Sequence, residues 1–209
     1  MTADVPVVNP WLPRSRPSDG SNGKPRRSVQ DPSTELTGPA APQGAGVPDP
    51  EHGLPFARPW PAPGQAWWWL GAHGGSGVTT LEQAVPGGRD AGGAWPVGEW
   101  AQPVVLVARS GADGIGAAQD AARQWASGRV PGVDLLGLVV VADAPGRRPR
   151  ILRDLVRLVS GAVPRLWEIP WVEPWRLGEP PMAHLPDACV PLARDLARLT
   201  ARPALPRVP

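Results

Sequence analysis

The residues with the clearest chemical potential are His73-Gly74-Gly75-Ser76-Gly77-Val78-Thr79-Thr80. Glycines at this density let backbone N–H groups approach an anion with no side chains in the way. A helix opening at Thr79 and Thr80 would aim its dipole and its unpaired amides at the same point. That combination suits a phosphate, and Gly74, Gly75, Ser76, Gly77, Val78, Thr79 and Thr80 are the candidate nucleotide-binding residues. A lysine ordinarily completes such a cradle by reaching over the loop. Val78 stands in its place.

A loop of this kind works only if a strand and a helix hold it. Residues 64–70, with Trp67-Trp68-Trp69-Leu70, read as a buried strand, and 77–85 as a short helix stopped by Pro86-Gly87-Gly88. Residues 89–100, with Trp95 and Trp100, read as a loop lying over the core. The β-branched run at 103–108 is a strand buried on both faces. An alanine-rich helix follows at 114–127, with Ala117, Ala118, Ala121, Ala122 and Trp125 on one side. Residues 133–141 give a third strand and 149–161 an amphipathic helix carrying Ile151, Leu152, Leu155, Val156, Leu158 and Val159. A short strand at 165–170 and a last helix at 191–201, with Leu192, Leu196 and Leu199 inward, complete the pattern. Strands alternating with helices imply an α/β fold with a parallel sheet and right-handed crossovers. Ligands on such sheets sit at the carboxyl ends of the strands. That edge would gather the glycine loop, Arg109-Ser110, Asp143 and Pro170-Trp171.

Composition separates this domain from what precedes it. Fourteen of the 30 prolines lie in residues 1–63, with Arg14, Arg16, Lys24, Arg26 and Arg27 and almost no apolar periodicity. Such a segment buries too little surface to offset chain entropy, so 1–63 reads as a disordered arm and 64–209 as the domain. The formal net charge of +2 gives no global footprint for nucleic acid. The single cysteine, Cys189, excludes an internal disulfide and a thiol-based zinc site. No signal-peptide pattern opens the chain, and its longest apolar run is too short to span a bilayer. A cytoplasmic protein is the expectation. Lys24 is the only lysine beside 20 arginines, and 11 tryptophans accompany one phenylalanine and no tyrosine. That bias resembles GC-rich codon choice, so the tryptophans need not mark a ligand site.

Gly74, Gly75, Gly77, Thr79 and Thr80 match in place the deviant Walker A loop of the ParA/MinD-type ATPases, whose pattern is Lys-Gly-Gly-x-Gly-Lys-Thr-Thr. His73 and Val78 replace the two lysines. Leu136 to Val141 looks like the penultimate strand of those ATPases, and Glu168-Ile169-Pro170 like their Ile-Pro strand leading to the base-binding loop. The pattern over 64–178 is also similar to an uncharacterised family from high-GC bacteria with the same broken loop and an Asp-Ala-Gly-x-Ala-Trp-Pro segment, here Asp90 to Pro96. The resemblance implies a degenerate P-loop NTPase-like sheet flanked by helices, with Asp143 and Pro170 on the base side. It also implies ATP or GTP as ligand. No apolar run ending in Asp precedes residue 103, so the magnesium-binding strand of the group has no visible counterpart. With no lysine in the domain, only an arginine can replace the missing charge, and Arg89 and Arg109 are nearest in the expected topology.

Other chemistries fare worse. His73-Gly74-Gly75 resembles the oxyanion strip of esterases, but no G-x-S-x-G follows, and the domain holds only His73 and His184. Three scattered histidines without a thiol pair make no metal site, and the glycine spacing fails G-x-G-x-x-G. Arg147, Arg148, Arg150, Arg153 and Arg157 form the candidate partner surface, for DNA or for an acidic protein. The expected function is a non-catalytic interaction or nucleotide-sensing protein related to partition and positioning ATPases. The alternative is an active but atypical ATPase in plasmid partition, conjugation or secretion. A protein partner is expected and a dimer is left open.

Overall fold

Four consecutive residues of the first core strand display the logic of the fold. Strand side chains alternate between faces. Trp67 and Trp69 enter one buried cluster, and Trp68 and Leu70 enter another on the opposite side. A strand that is apolar on both faces must lie inside a sheet covered by two helical layers.

The computed structural model describes residues 35–44 and 46–201. In chain order the strands are β1 (Phe56–Ala57), β2 (Trp67–Gly71), β3 (Gly88–Asp90), β4 (Trp95–Pro96), β5 (Gln102–Arg109), β6 (Val133–Val141) and β7 (Leu166–Ile169). The helices are α1 (Val78–Ala84), α2 (Ala112–Ala126), α3 (Arg150–Ser160), α4 (Glu173–Arg176) and α5 (Cys189–Thr200), with a 3-10 turn at Pro181–His184. Five strands form one sheet in the order β3-β2-β5-β6-β7, every pair parallel, and β1 pairs with β4 in a separate ribbon. The chain is thus α/β, a parallel sheet flanked by helices, as the sequence implies.

After β2 the chain moves one way to β3, then returns to place β5 on the other side. Because crossovers in parallel sheets are right-handed, the reversal puts α1 and α2 on opposite faces. Leu81, Leu192 and Leu196 accordingly pack with Trp67 and Trp69, so α1 and α5 share a layer. Ala118, Ala121, Ala122, Trp125, Val156 and Val159 pack with Trp68 and Leu70, so α2 and α3 share the other. Small alanines let α2 lie close to the sheet. In α5, Asp195 is buried and accepts a hydrogen bond from the Trp167 indole at 3.1 Å. Burial pushes the Cys189 thiol up to about 11.

Two stretches differ from the sequence reading. Residues 89–100 are not wholly loop. β3 pairs Arg89 with Trp68 and Asp90 with Trp69, which extends the sheet by one strand too short to show periodicity. Residues 35–44 and 46–63, read as part of the arm, run along the domain. Thr37 N–H donates to Pro164 O at 2.8 Å, and Gln43 N–H to Ala126 O at 2.8 Å. Leu54 exchanges hydrogen bonds with the buried Gln124 side chain, its N–H donating to Oε1 at 2.8 Å and its carbonyl accepting from Nε2 at 2.9 Å. Gln124 Oε1 also accepts from the Trp95 indole at 2.8 Å. This strap satisfies its backbone with side chains and carbonyls of the domain and with the short β1–β4 ribbon, so it needs no long periodic pattern of its own. Residues 1–34 of the expected arm and 202–209 of the expected domain lie outside the described residues. No helix among the described residues is long and apolar enough to cross a membrane.

Candidate functional site

The reversal between β2 and β5 opens a crevice at their carboxyl ends, where open parallel sheets bind ligands. The glycine loop fills one side of it. Ala72 N–H donates to Val107 O at 2.9 Å, carrying the strand one residue further, and Ser76 N–H turns back to His73 O at 3.3 Å. Gly75 and Gly77 have φ of 75° and 103°. That left-handed region costs a side chain roughly 1–2 kcal/mol, so both positions need glycine. A Cβ at Gly71 would meet the buried Ser76 hydroxyl at 2.6 Å. The first helical bond of α1 runs from Leu81 N–H to Gly77 O at 3.0 Å. The N–H groups of Gly74, Gly75, Gly77, Val78, Thr79 and Thr80 find no acceptor among the described residues.

Val78 is buried in the layer beneath α1, packed with the Trp67 and Trp69 cluster. The side chain in the lysine position therefore points into the core and not over the loop. The cation comes from β5. Arg109 Nε donates to Gly75 O at 3.2 Å and Nη1 to Ala142 O at 3.0 Å. Its Cζ would lie 3.7 Å from a Cβ placed on Gly77. Burial lowers the Arg109 pKa, while the Asp143 carboxylate raises it and Arg176 lowers it. A bound anion would act in the same direction as Asp143. Arg89, the other arginine that the topology offered, instead pairs with Glu82 at 3.5 Å on the surface.

His73 accepts the Arg109 N–H on Nε2 at 3.1 Å, which makes Nδ1 the protonated nitrogen, 2.8 Å from Gly74 O. The ring thereby ties the loop to the end of β5. Ser110 donates to Asp143 Oδ1 at 2.5 Å. With both groups so engaged, the described residues assemble no serine–histidine pair.

Three hollows share this edge. The first, about 550 Å³, is lined by the glycine loop, Thr79, Thr80, Asp90 and Arg109, with Leu54 of the strap at its border. The second, about 360 Å³, begins on the other side of Arg109, where Asp143 and Pro170 meet Trp171, Trp175 and Arg176. The two base-side candidates are thus brought together, with Gly75 and Thr80 lining the same hollow. The third is an open groove of about 800 Å³ between α3 and β7, lined in part by Arg147, Arg148, Arg153 and Arg157. Arg150 does not line it and pairs with Asp154 at 3.7 Å.

Asp90 is the site residue whose position the sequence concealed. It ends β3 beside the loop, and its Oδ1 accepts the Gly92 N–H at 2.8 Å. The signal was Asp90-Ala91-Gly92-Gly93, an Asx turn directly after a strand, hidden because that strand is three residues long. Leu54-Pro55-Phe56 with Trp60 reads as an anchor-like cluster in the arm, but nothing local ties Leu54 to Gln124.

A family of unknown function (DUF6668) matches residues 65–190. The chain belongs to that family. The DUF6668 match starts two residues before β2 and ends at the second residue of α5, so it contains the glycine loop, Asp90, Arg109, α3 and β7. Comparison with curated proteins and with solved structures gave no match.

Proposed function

We propose that this protein is a non-catalytic, nucleotide-sensing interaction protein related to the partition and positioning ATPases. The observation that carries the reading is that six loop residues whose amides find no acceptor among the described residues line one hollow together with Arg109. Backbone amides and a forked cation are the groups that hold phosphate oxygens. Losing one charge-assisted contact weakens phosphate binding by roughly ten- to a hundredfold, and Arg109 offsets the lysine absent at 78. Phosphoryl transfer is more demanding, because it rests on charge and metal positioned around the γ-phosphate.

Asp90 favours a second reading, an active but atypical ATPase in plasmid partition, conjugation or secretion. Magnesium is held by oxygen donors, commonly one or two carboxylates plus substrate phosphates. Asp90, Thr79 and Thr80 offer such donors at the rim of the same hollow. No group of three or more His, Cys, Asp or Glu among the described residues could hold a metal unaided. Magnesium would therefore enter with the nucleotide.

Calorimetry with ATP and GTP, with and without magnesium, tests both readings. The sensing reading expects saturable binding of roughly high-micromolar to millimolar strength and no phosphate release above a Gly77→Glu control. Absence of binding for either nucleotide removes it. Magnesium-dependent release well above the control selects the ATPase.

A further inference from the structure

The geometry points to a docking groove for an acidic, apolar-studded segment of a partner protein, between α3 and the open edge of β7. The groove is separate from the glycine-loop hollow, and its occupancy needs no nucleotide.

Three observations define the occupant. The first is charge. Arg147, Arg153 and Arg157 line the groove, and none has a carboxylate partner among the described residues. Arg153 and Arg157 are one helical turn apart, so they form a cationic rail along one wall. Two carboxylates also line the groove, and both are engaged. Glu168 pairs with Arg148 at 3.0 Å, and Asp143 takes the Ser110 hydroxyl beside Arg109. The surplus is positive.

The second is the apolar lining, in which Leu152 and Leu166 stay half-buried above the buried Val156 and Ile169. A phosphate chain would satisfy the arginines and leave Leu152 and Leu166 uncovered. An acidic segment bearing leucine-like side chains satisfies both, which favours protein over nucleic acid.

The third is the strand edge. Among the described residues, β7 is last in the sheet and pairs only with β6. Ile169 O accepts from Ala142 N–H and Arg165 O from Leu138 N–H, so the odd-numbered residues face β6. By alternation Leu166 and Glu168 turn their backbone groups outward, where an extended segment can pair with them. The 11 residues of α3 span about 16 Å, the length of roughly five extended residues.

The test is fluorescence anisotropy with the labelled octapeptide Glu-Leu-Leu-Glu-Glu-Leu-Leu-Glu, whose two faces each carry both residue types when extended. Three comparison probes accompany it: the same peptide with serine for leucine, the same peptide with lysine for glutamate, and single-stranded octathymidylate. The full chain should bind the glutamate–leucine peptide saturably. Arg153→Glu with Arg157→Glu should weaken that binding at least about tenfold and turn preference to the lysine peptide. Arg157→Gln alone should weaken it about threefold. An unchanged thermal midpoint would show the fold intact, and the single variant carries the test if the double one fails to fold. The serine peptide should bind at least about tenfold more weakly. No saturation by the glutamate–leucine peptide overturns the groove. Equal binding of the serine peptide overturns the apolar recognition, and tighter binding of octathymidylate overturns the choice of protein over nucleic acid.

Discussion

The glycine-loop hollow and the α3–β7 groove lie on the same edge of one sheet but are built from different material. The hollow is made of backbone. Its donors are amides freed by Gly75 and Gly77, and its cation among the described residues, Arg109, is already braced against two carbonyls. The groove is made of side chains, with arginines on a helix face over apolar residues from α3 and β7. Backbone donors cannot be exchanged one at a time, so the hollow suits a ligand of fixed chemistry such as phosphate. Side-chain surfaces can be altered residue by residue, which suits a partner. One scaffold carries both because all five strand ends face one way.

The largest expected effect separates the two regions through the strap, which borders the hollow at Leu54 and lines no part of the groove. Gln124→Leu keeps the volume but removes the acceptor and donor that hold Leu54 and the Trp95 indole. Each buried polar group left unpaired costs roughly 1–3 kcal/mol, and these three share one side chain, so a total of about 2–4 kcal/mol is expected. Urea unfolding measures it. Hydrogen exchange should rise at residues 50–57, and nucleotide binding should weaken while the groove peptide binds as before. Equal losses at both regions would mean that the strap supports the whole sheet.

The contrast also explains what the sequence made legible. Long buried strands such as β5 and β6 announce themselves, because burial on both faces demands an unbroken apolar run. The glycine loop is legible because φ of 75° and 103° leaves little choice of residue. The arginines of α3 are legible as a cluster. Their sorting is not, since Arg148 turns to Glu168, Arg150 to Asp154, and Arg147, Arg153 and Arg157 line the groove with no carboxylate partner among the described residues. β3 is concealed by its shortness. Its glycine is required by contact, since a Cβ at Gly88 would collide with the indole nitrogens of Trp67 and Trp69. The strap is concealed because its partners are distant in sequence, Gln124 lying 70 residues from Leu54.

A smaller effect tests whether the hollow's cation is Arg109. Arg109→Met removes the guanidinium and keeps the stem, so nucleotide affinity should fall roughly ten- to a hundredfold, or about 1.5–3 kcal/mol. Val78→Lys supplies a charge from the other side of the loop and should raise affinity by a similar factor. Its cost is stability, because Val78 leaves the core, and roughly 1.5 kcal/mol should be lost. Placed in the Arg109→Met background, Val78→Lys should restore binding. The Trp67–Trp69 run offers a fluorescence readout. Unchanged affinity in Arg109→Met would mean the loop amides act without this cation. Peptide binding in the groove should follow none of these changes.

The smallest expected effect sharpens the groove's own boundary by comparing two neighbouring arginines. Arg148 and Glu168 join the start of α3 to β7 at 3.0 Å, and the arginine side chain is only 15% exposed. Arg150 and Asp154 meet at 3.7 Å within α3, with 87% of the arginine side chain exposed. An exposed i,i+4 pair contributes about 0.3–0.5 kcal/mol and is screened by salt. Glu168 is itself half-exposed, so the Arg148 pair is also discounted, to about 0.5–1 kcal/mol. Arg148→Gln should therefore lower stability slightly more than Arg150→Gln. It should also change peptide affinity, because Glu168 would then repel an acidic segment. Arg150→Gln should leave peptide affinity unchanged, since Arg150 lies outside the groove. Raising the salt to about 1 M should erase the Arg150 effect on stability and keep part of the Arg148 effect, because covered pairs are screened less. If both variants bind the peptide alike, the basic patch acts as a diffuse field and the groove between α3 and β7 has no edge at Glu168.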